Sequence, residues 1–448
     1  MIDHFLRSSI PAGVPTKRCA VILFLALWIS PALHAHLQPT TLIALDIAQD
    51  HVAMSVHIPL SELELAFGHD VSRNPEQRMP EWEAPFRAYL VRHIRPLTPA
   101  GKPWTVQVLD MKAERAEQTR SGPFQEVTVQ IRLTPPTPAD LRDFDLHYDV
   151  ILHQVVTHKA LVSVQNDWAG GQLQPVQVGR IAVDTATTKI EPLAVHLGAG
   201  SWQTGFRAMV SLGMQHIREG TDHMLFLLVL LLPATLRANG RRWGAYGGSR
   251  YSLTRLVKIV SAFTLGHSVT LLAGALHWLT LPQRPVEVLI ACSILVTAIH
   301  AIRPIFPGRE QQVAAGFGLI HGLAFATVLA DLHLSGGPMA LSILGFNLGI
   351  ELMQLFLIAI TVPWLTLLSL TPVHRHLRVG GAVLAIIAAA GWIGNRVSGE
   401  SNWIERGMTA VTPLAPLGVL ILAMISIAAY LANTSRPGPA YINERNPQ

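Results

Sequence analysis

The sequence predicts an α-helical membrane bundle of about seven transmembrane helices, preceded by a signal peptide and an all-β, sandwich-like extracytoplasmic domain. Three observations predict this. Half of the 448 residues are hydrophobic and only 14% are charged, against roughly a quarter charged in ordinary soluble proteins. From about residue 205 the apolar residues gather into long runs. Before that point they alternate with a period near two.

The N-terminus has the layout of a secretory signal. Arg7, Lys17 and Arg18 form a basic start, and an apolar core runs from Cys19 to Leu33 with Pro31 near its end. Small residues follow around Ala35. The core is short, as a signal core of roughly 7–15 residues should be, and a spanning helix needs about 20. Residues 1–35 are therefore expected to be a signal peptide.

Residues 36–200 are expected to form the extracytoplasmic domain. "TTLIALDI", "VAMSVHI", "WTVQVLDM", "VTVQIRL" and "LVSVQND" alternate, and "SGP", "TPPTPAD" and "AGG" separate them. This is the pattern of a β-sandwich of about seven to nine short strands. The only cysteines, Cys19 and Cys292, lie outside this region, so it holds no disulfide. It is rich in histidine: His36, His51, His57, His69, His93, His147, His153, His158 and His196. His51 and His57 are six apart and on one strand would share a face. No tight cluster appears, so surface histidines on a binding or structural module are the plainer reading, with a periplasmic partner as one use for it.

Apolar segments then fall near 208–233, 255–278, 285–303, 313–332, 340–369, 379–397 and 412–433. Each is long enough to cross about 30 Å of hydrocarbon. They make residues 205–434 a seven-helix domain and leave 435–448 as a tail. Arg237, Arg241, Arg242, Arg250, Arg255 and Lys258 follow the first segment, and the later even loops carry Arg303 and Arg309, then Arg375 and Arg378. By the positive-inside rule these loops and the tail are cytoplasmic, and the β-domain lies outside a bacterial inner membrane. The net charge of +5 thus reads as a topology signal, and no nucleic-acid partner is expected. The bilayer is the expected surroundings.

Ionisable residues at membrane depth cost about 2.5–3.5 kcal/mol each on insertion scales, yet this chain keeps many. The first segment has His216, Arg218, Glu219, Asp222 and His223; the second has Thr264, His267 and Ser268. Glu287 and His300 flank the third, His321 centres the fourth, and Asn347, Glu351 and Gln354 lie in the fifth. His216 and His223 are seven apart, separated by about 10.5 Å along a straight helix. One ion with ligands near 2.1 Å cannot join them there. Either Gly220 lets the helix break, or each residue meets partners from other helices. Arg218 is the i−4 neighbour of Asp222 and its expected ion-pair partner. Asn347, Glu351 and Gln354 make one polar stripe suited to the bundle interior. Gly318 and Gly322 form a GxxxG contact beside His321. Taken singly, each polar residue can be a hydrogen-bonding glue between helices. Together, His216, Asp222, His223, His267, His321 and Glu351 suit a borderline divalent ion such as nickel, cobalt or zinc.

The strings "HIREGTDHMLFLLVLLL", "FTLGHSVTL", "VEVLIACSI", "FGLIHGLAFA" and "FNLGIELMQ" stand in this order. With them the chain resembles the HupE/UreJ family of hydrogenase and urease accessory membrane proteins, in its branch with a large extracytoplasmic N-terminal domain. The resemblance covers about 205–360. It implies uptake of nickel, or of cobalt, for metalloenzymes. It makes His216, Asp222 and His223 metal-contact candidates, with His267, His321 and Glu351 in support and Glu287, Asn347 and Gln354 as further polar groups. The expected function is a permease or metal-handling protein for a divalent transition metal, and not an enzyme. No Walker motif is present, so the chain does not itself supply a P-loop ATPase. Two alternatives are a zinc-dependent intramembrane hydrolase, with Ser268 beside His267, and a non-transporting sensor or assembly factor working through the β-domain. Against the hydrolase, the sequence has no HExxH and no GxSxG.

Overall fold

The computed structural model describes residues 39–434 apart from 119–121, 137–139, 280, 331, 333, 335, 401, 412 and 413. The expected signal peptide, His36 and the tail lie outside the described residues.

Alternating apolar residues become strands because successive side chains point to opposite faces. In β1 (Thr41–Ile47) and β2 (Val52–Pro59) every second residue is buried. With β4 (Thr105–Gln118), β5 (Gly122–Thr134), β7 (Lys159–Asp167) and β8 (Val176–Ala182) they form a six-stranded sheet ordered β4-β5-β2-β1-β7-β8. β1 and β7 run parallel, while the other pairs are antiparallel. A second sheet joins β3 (Ile94–Leu97), β6 (Asp143–Tyr148) and β9 (Leu193–His196) in the order β3-β6-β9. The region is thus β-rich, as its alternation predicts.

Two helices that the alternation does not predict share its core. α1 (Leu60–Phe67) buries Leu60 and Leu63, and α2 (Pro75–His93) buries Trp82, Phe86 and Leu90. Pro80 and Pro85 lie inside α2. A mid-helix proline costs about 3 kcal/mol, which hides this helix from a propensity reading. Trp82, Phe86 and Leu90 recur every four residues on one face and are at most 2% exposed. Burying three such side chains at about 1.5–3 kcal/mol each offsets the proline cost.

The first apolar segment is two helices. α3 (Trp202–Glu219) ends at Gly220 and α4 (Thr221–Leu231) begins there. A hairpin of β10 (Leu236–Asn239) and β11 (Arg242–Tyr246) follows. Then come α5 (Ser249–Ala275), α6 (Gln283–Ile302), α7 (Glu310–Ala330), α8 (Gly336–Ser369), α9 (Val373–Ser398), the short α10 (Trp403–Val411) and α11 (Ala415–Thr434). Among the described residues, α5, α6, α8, α9 and α11 are long and apolar enough to cross a membrane. Pro363 lies within the 34-residue α8. α11 buries only Ser426, and exposes Leu417, Leu420, Met424 and Leu431. An apolar surface of that size belongs against lipid.

Glycines set two tight helix pairs. In α7 a Cβ on Gly318 would overlap the Phe263 carbonyl oxygen of α5, and one on Gly322 would overlap the His267 carbonyl oxygen. In α3 a Cβ on Gly213 would overlap the Phe346 carbonyl oxygen of α8. Small residues let backbones approach closely where lipid supplies no hydrophobic drive between helices. Each tight pair carries a centrally placed histidine beside its contact. The β-domain meets the bundle at the start of α3. Trp168 packs in one cluster with Met209, Ile217 and Phe346. Nearby, Arg142 and Asp167 form a buried ion pair at 2.6 Å.

Candidate metal centre

Gly220 is the element that builds the centre. It caps α3 through its N–H to the His216 carbonyl at 2.9 Å, and its own carbonyl accepts the Met224 N–H that opens α4. Its backbone is extended there, with φ −70° and ψ 96°. A Cβ at this position would lie 2.7 Å from the His216 oxygen and 3.1 Å from His223 Nδ1. The break folds the two flanking turns toward each other. His216 and His223, which a straight helix would hold about 10.5 Å apart along its axis, have ring centroids 4.6 Å apart. Both alternatives left open by the spacing hold at once, because His267 of α5 also joins them. One ligand nitrogen from each of His216, His223 and His267 lies within 4.8 Å of the others.

Hydrogen bonds orient this set. Asp222 stands in the first turn of α4, where the helix dipole favours an anion. Its Oδ1 accepts from the His223 backbone N–H at 2.8 Å and faces His223 Nδ1 at 3.0 Å. A carboxylate on Nδ1 fixes the ring and leaves Nε2 with a free lone pair. The expected Asp222–Arg218 pair does not form. The break removes the i,i+4 register, and Arg218 pairs with Glu219 at 3.2 Å instead.

His223 Nε2 lies 3.2 Å from His321 Nδ1, and His321 Nε2 lies 2.9 Å from the Ser293 hydroxyl of α6. Ser293 also donates to the Ile290 carbonyl at 2.7 Å. With that hydroxyl proton committed, Ser293 accepts from His321 Nε2–H, and His321 Nδ1 carries a lone pair. Two lone pairs then face each other across 3.2 Å. A shared proton or a cation relieves this. Two nitrogens at about 2.1 Å from one ion, about 100° apart, are themselves separated by about 3.2 Å.

Three further ring nitrogens of this cluster are buried without a partner in strict geometry among the described residues. His267 is fully buried, and among the described residues neither of its ring nitrogens has a partner in strict hydrogen-bond geometry, the Asn347 side chain being the polar group nearest to making one. His216 Nε2 and Asn347 Oδ1 are likewise buried and unpartnered. Phe325 and Phe346 pack against His216 with centroids at 4.6 and 5.5 Å.

The other sequence candidates lie elsewhere. Glu351 is not in the histidine set; its two oxygens accept from Ser261 and Thr264, each at 2.6 Å. Gln354 accepts from Thr264 at 3.2 Å. Asn347 donates to the Ile343 carbonyl at 2.8 Å. Glu287 pairs with Arg396 of α9 at 3.2 Å and accepts from Gln283, away from the histidines. Ser268 spends its hydroxyl on the Thr264 carbonyl at 2.7 Å. Sequence reasoning missed Ser293 and Ser261. Each is a small hydroxyl side chain among apolar neighbours, and nothing in the pattern marks its partner.

In the β-domain, His51 and His57 do not share a chelate. His51 lies before β2 and pairs with Asp50, while His57 pairs with Glu126 at 2.9 Å. His57, Glu114 and Glu126 form a second set with ligand atoms within 4.8 Å, on the open face of the larger sheet.

Fold and centre together define a helical membrane domain with a buried imidazole cluster aligned by one carboxylate. Residues 193–396 match the family model described as HupE / UreJ protein. The matched family implies a metal transport or accessory role. No curated protein matches the chain.

Proposed function

We propose that this protein is a multi-pass permease, or more broadly a membrane metal-handling protein, for a divalent transition metal, with nickel or cobalt ahead of zinc. One observation carries the reading. His216, His223 and His267 converge within 4.8 Å, and His267 keeps both nitrogens buried and unsatisfied. An unmet buried polar group costs about 1–3 kcal/mol, and here a cation removes that cost. Imidazole donors with one carboxylate suit borderline divalent ions, and no thiolate joins them to favour copper(I).

In this reading His216, His223 and His267 hold the ion, His321 stands beside it, and Asp222 aims His223. Five helices are long and apolar enough to cross a membrane, and counting the 21-residue α7 and the broken α3–α4 pair as crossings gives the proposed seven. At 1.5 Å per residue α7 spans about 31 Å. The β-domain meets the N-terminus of α3, and the β10–β11 hairpin with its arginines follows α4. The positive-inside rule then puts the β-domain outside an inner membrane and the hairpin in the cytoplasm. Thr264 lies one turn from His267 toward the hairpin end of α5. The Ser261–Thr264–Glu351–Gln354 hydrogen bonds thus extend the polar interior toward the cytoplasmic side. The ion would be captured at the histidines and released along this stripe.

Uptake of labelled nickel or cobalt into cells or proteoliposomes tests the proposal. Uptake rises with expression and falls to background for His223→Ala and Asp222→Asn. Unchanged uptake with intact protein levels contradicts it. Loss of the phenotype on removal of the β-domain, with uptake by the bundle unchanged, would favour the sensor or assembly reading instead.

A further inference from the structure

Charge is left unmet at a second place, remote from the histidine centre. Two arginines elsewhere in the bundle are matched by carboxylates: Arg255 pairs with Glu310 at 2.7 Å, and Arg396 with Glu287 at 3.2 Å. At the end of the bundle that carries the β10–β11 hairpin, a cleft of about 810 Å³ opens between the hairpin, the C-terminus of α6 and the start of α9. Arg241, Arg242, Arg303, Arg375, Arg378 and His374 line it, and among the described residues no Asp or Glu does. Five guanidinium groups around one space repel one another, and no carboxylate in the lining offsets this.

Two of these residues are buried and incompletely bonded. Arg378 is 7% exposed and donates Nη1 to the Ala301 and Ile302 carbonyls, which closes the C-terminus of α6. Among the described residues its Nε has no partner. His374 is 4% exposed, and among the described residues its Nε2 has no partner. Unsatisfied buried donors are rare in folded proteins. Helix capping accounts for Arg378 Nη1 and leaves Nε unexplained. Sidedness of insertion accounts for exposed arginines in loops. It does not account for a buried arginine and a buried histidine facing one cleft.

We propose that this cleft is a phosphate-recognition site, with Arg241, Arg242 and Arg375 as its outer clamp and His374 and Arg378 as its buried floor. Forked guanidinium donors match the oxygens of a phosphate group. The volume falls within the range of small-ligand sites, about 300–1,000 Å³. An occupant would bridge the hairpin to α9 and tie that end of the bundle together. The phosphate belongs either to an anionic phospholipid headgroup, which basic pockets between helix ends are suited to hold, or to a soluble anion.

The test uses the purified full-length protein in an uncharged detergent, without added transition metal, so its outcome is independent of the histidine centre. Native mass spectrometry reads retention of phosphatidylglycerol and cardiolipin against phosphatidylcholine. Calorimetry with inorganic phosphate and pyrophosphate forms the second arm. The proposal predicts saturable binding in one arm, weakened roughly a hundredfold in an Arg241→Gln/Arg242→Gln/Arg375→Gln variant. An Arg250→Gln/Lys258→Gln/Arg309→Gln control removes equal charge near the same end and keeps binding. If the first variant does not fold, Arg375→Gln loses affinity while Arg375→Lys, a point charge without the fork, keeps only part of it. Lipid retention alone assigns the headgroup, and binding of phosphate or pyrophosphate alone assigns the soluble anion. No saturable binding in either arm, or equal loss in the control, overturns the proposal.

Discussion

In the β-domain, five histidines each face a carboxylate: His51 with Asp50, His57 with Glu126, His93 with Asp149, His158 with Glu62 and His196 with Asp143. In the bundle, His216, His223, His267 and His321 hydrogen-bond to one carboxylate among the described residues, Asp222, and only through His223. His158 and His267 make the contrast sharpest, since both are at most 2% exposed. His158 bonds Thr41 through Nε2 and Glu62 through Nδ1, whereas among the described residues His267 has no partner in strict hydrogen-bond geometry at either nitrogen and only Asn347 near it. Burial alone therefore says little about a histidine's role. Complete bonding marks a structural part of the core, and missing partners mark a place kept for something else.

The comparison breaks if the two histidines respond alike to removal. His158→Leu leaves the Glu62 carboxylate buried without its partner and should cost about 3–5 kcal/mol. Denaturation of the full-length protein followed by tryptophan fluorescence reads this. His267→Leu should act in the opposite direction, stabilising the metal-free protein by about 1–3 kcal/mol, because it removes an unsatisfied polar group. A destabilisation of His267→Leu matching that of His158→Leu would show that His267 is also structural.

Gly220→Ala sharpens the comparison within the bundle. The added methyl meets the His216 carbonyl at 2.7 Å and pushes the two flanking turns apart. Metal affinity should fall at least about tenfold, or about 1.4 kcal/mol, with all four histidines still present. Titration with nickel or cobalt in detergent measures it.

The smallest effect is a pH dependence within the β-domain. The hydrogen bond to Glu126 holds the His57 imidazole above its usual value, against an opposing desolvation. Protonated His57 stabilises the fold, so its contribution is present below about 6.5, the usual histidine value, and fades as pH rises through its raised folded value. Burial lowers His93 in spite of Asp149. His93 therefore removes stability as pH falls below about 6.5. Melting curves from about pH 5.5 to 8 check both signs. His57→Gln should differ from wild type most at the acid end, and His93→Gln should lessen the acid loss.

Much of this architecture is legible in period and length. Alternation in "TTLIALDI" and "VAMSVHI" becomes β1 and β2, and the apolar runs become α5 to α9 and α11. The histidines that converge were identifiable from their cost at membrane depth. Their convergence was not, because it depends on Gly220. A glycine inside a helical pattern costs only about 1 kcal/mol, so sequence alone does not say whether the helix bends there. Tertiary contacts decide it, including the α3–α8 approach at Gly213. The same reason hides α2, whose prolines argue against a helix that Trp82, Phe86 and Leu90 stabilise by burial. Glu351 and Glu287 show the converse. Their cost at depth flags them correctly as partnered, but their partners are Ser261, Thr264 and Arg396 rather than the histidines.

The central claim is that the buried imidazole cluster is unsatisfied because a cation completes it. Elemental analysis of the purified protein, after exposure to nickel or cobalt and removal of free metal, tests this most directly. The account predicts about one divalent ion per chain in the wild type and none in a folded His267→Ala variant, since three ligands define the site. Wild-type protein that stays metal-free, or a His267→Ala variant that retains the same ion at the same stoichiometry, would contradict it.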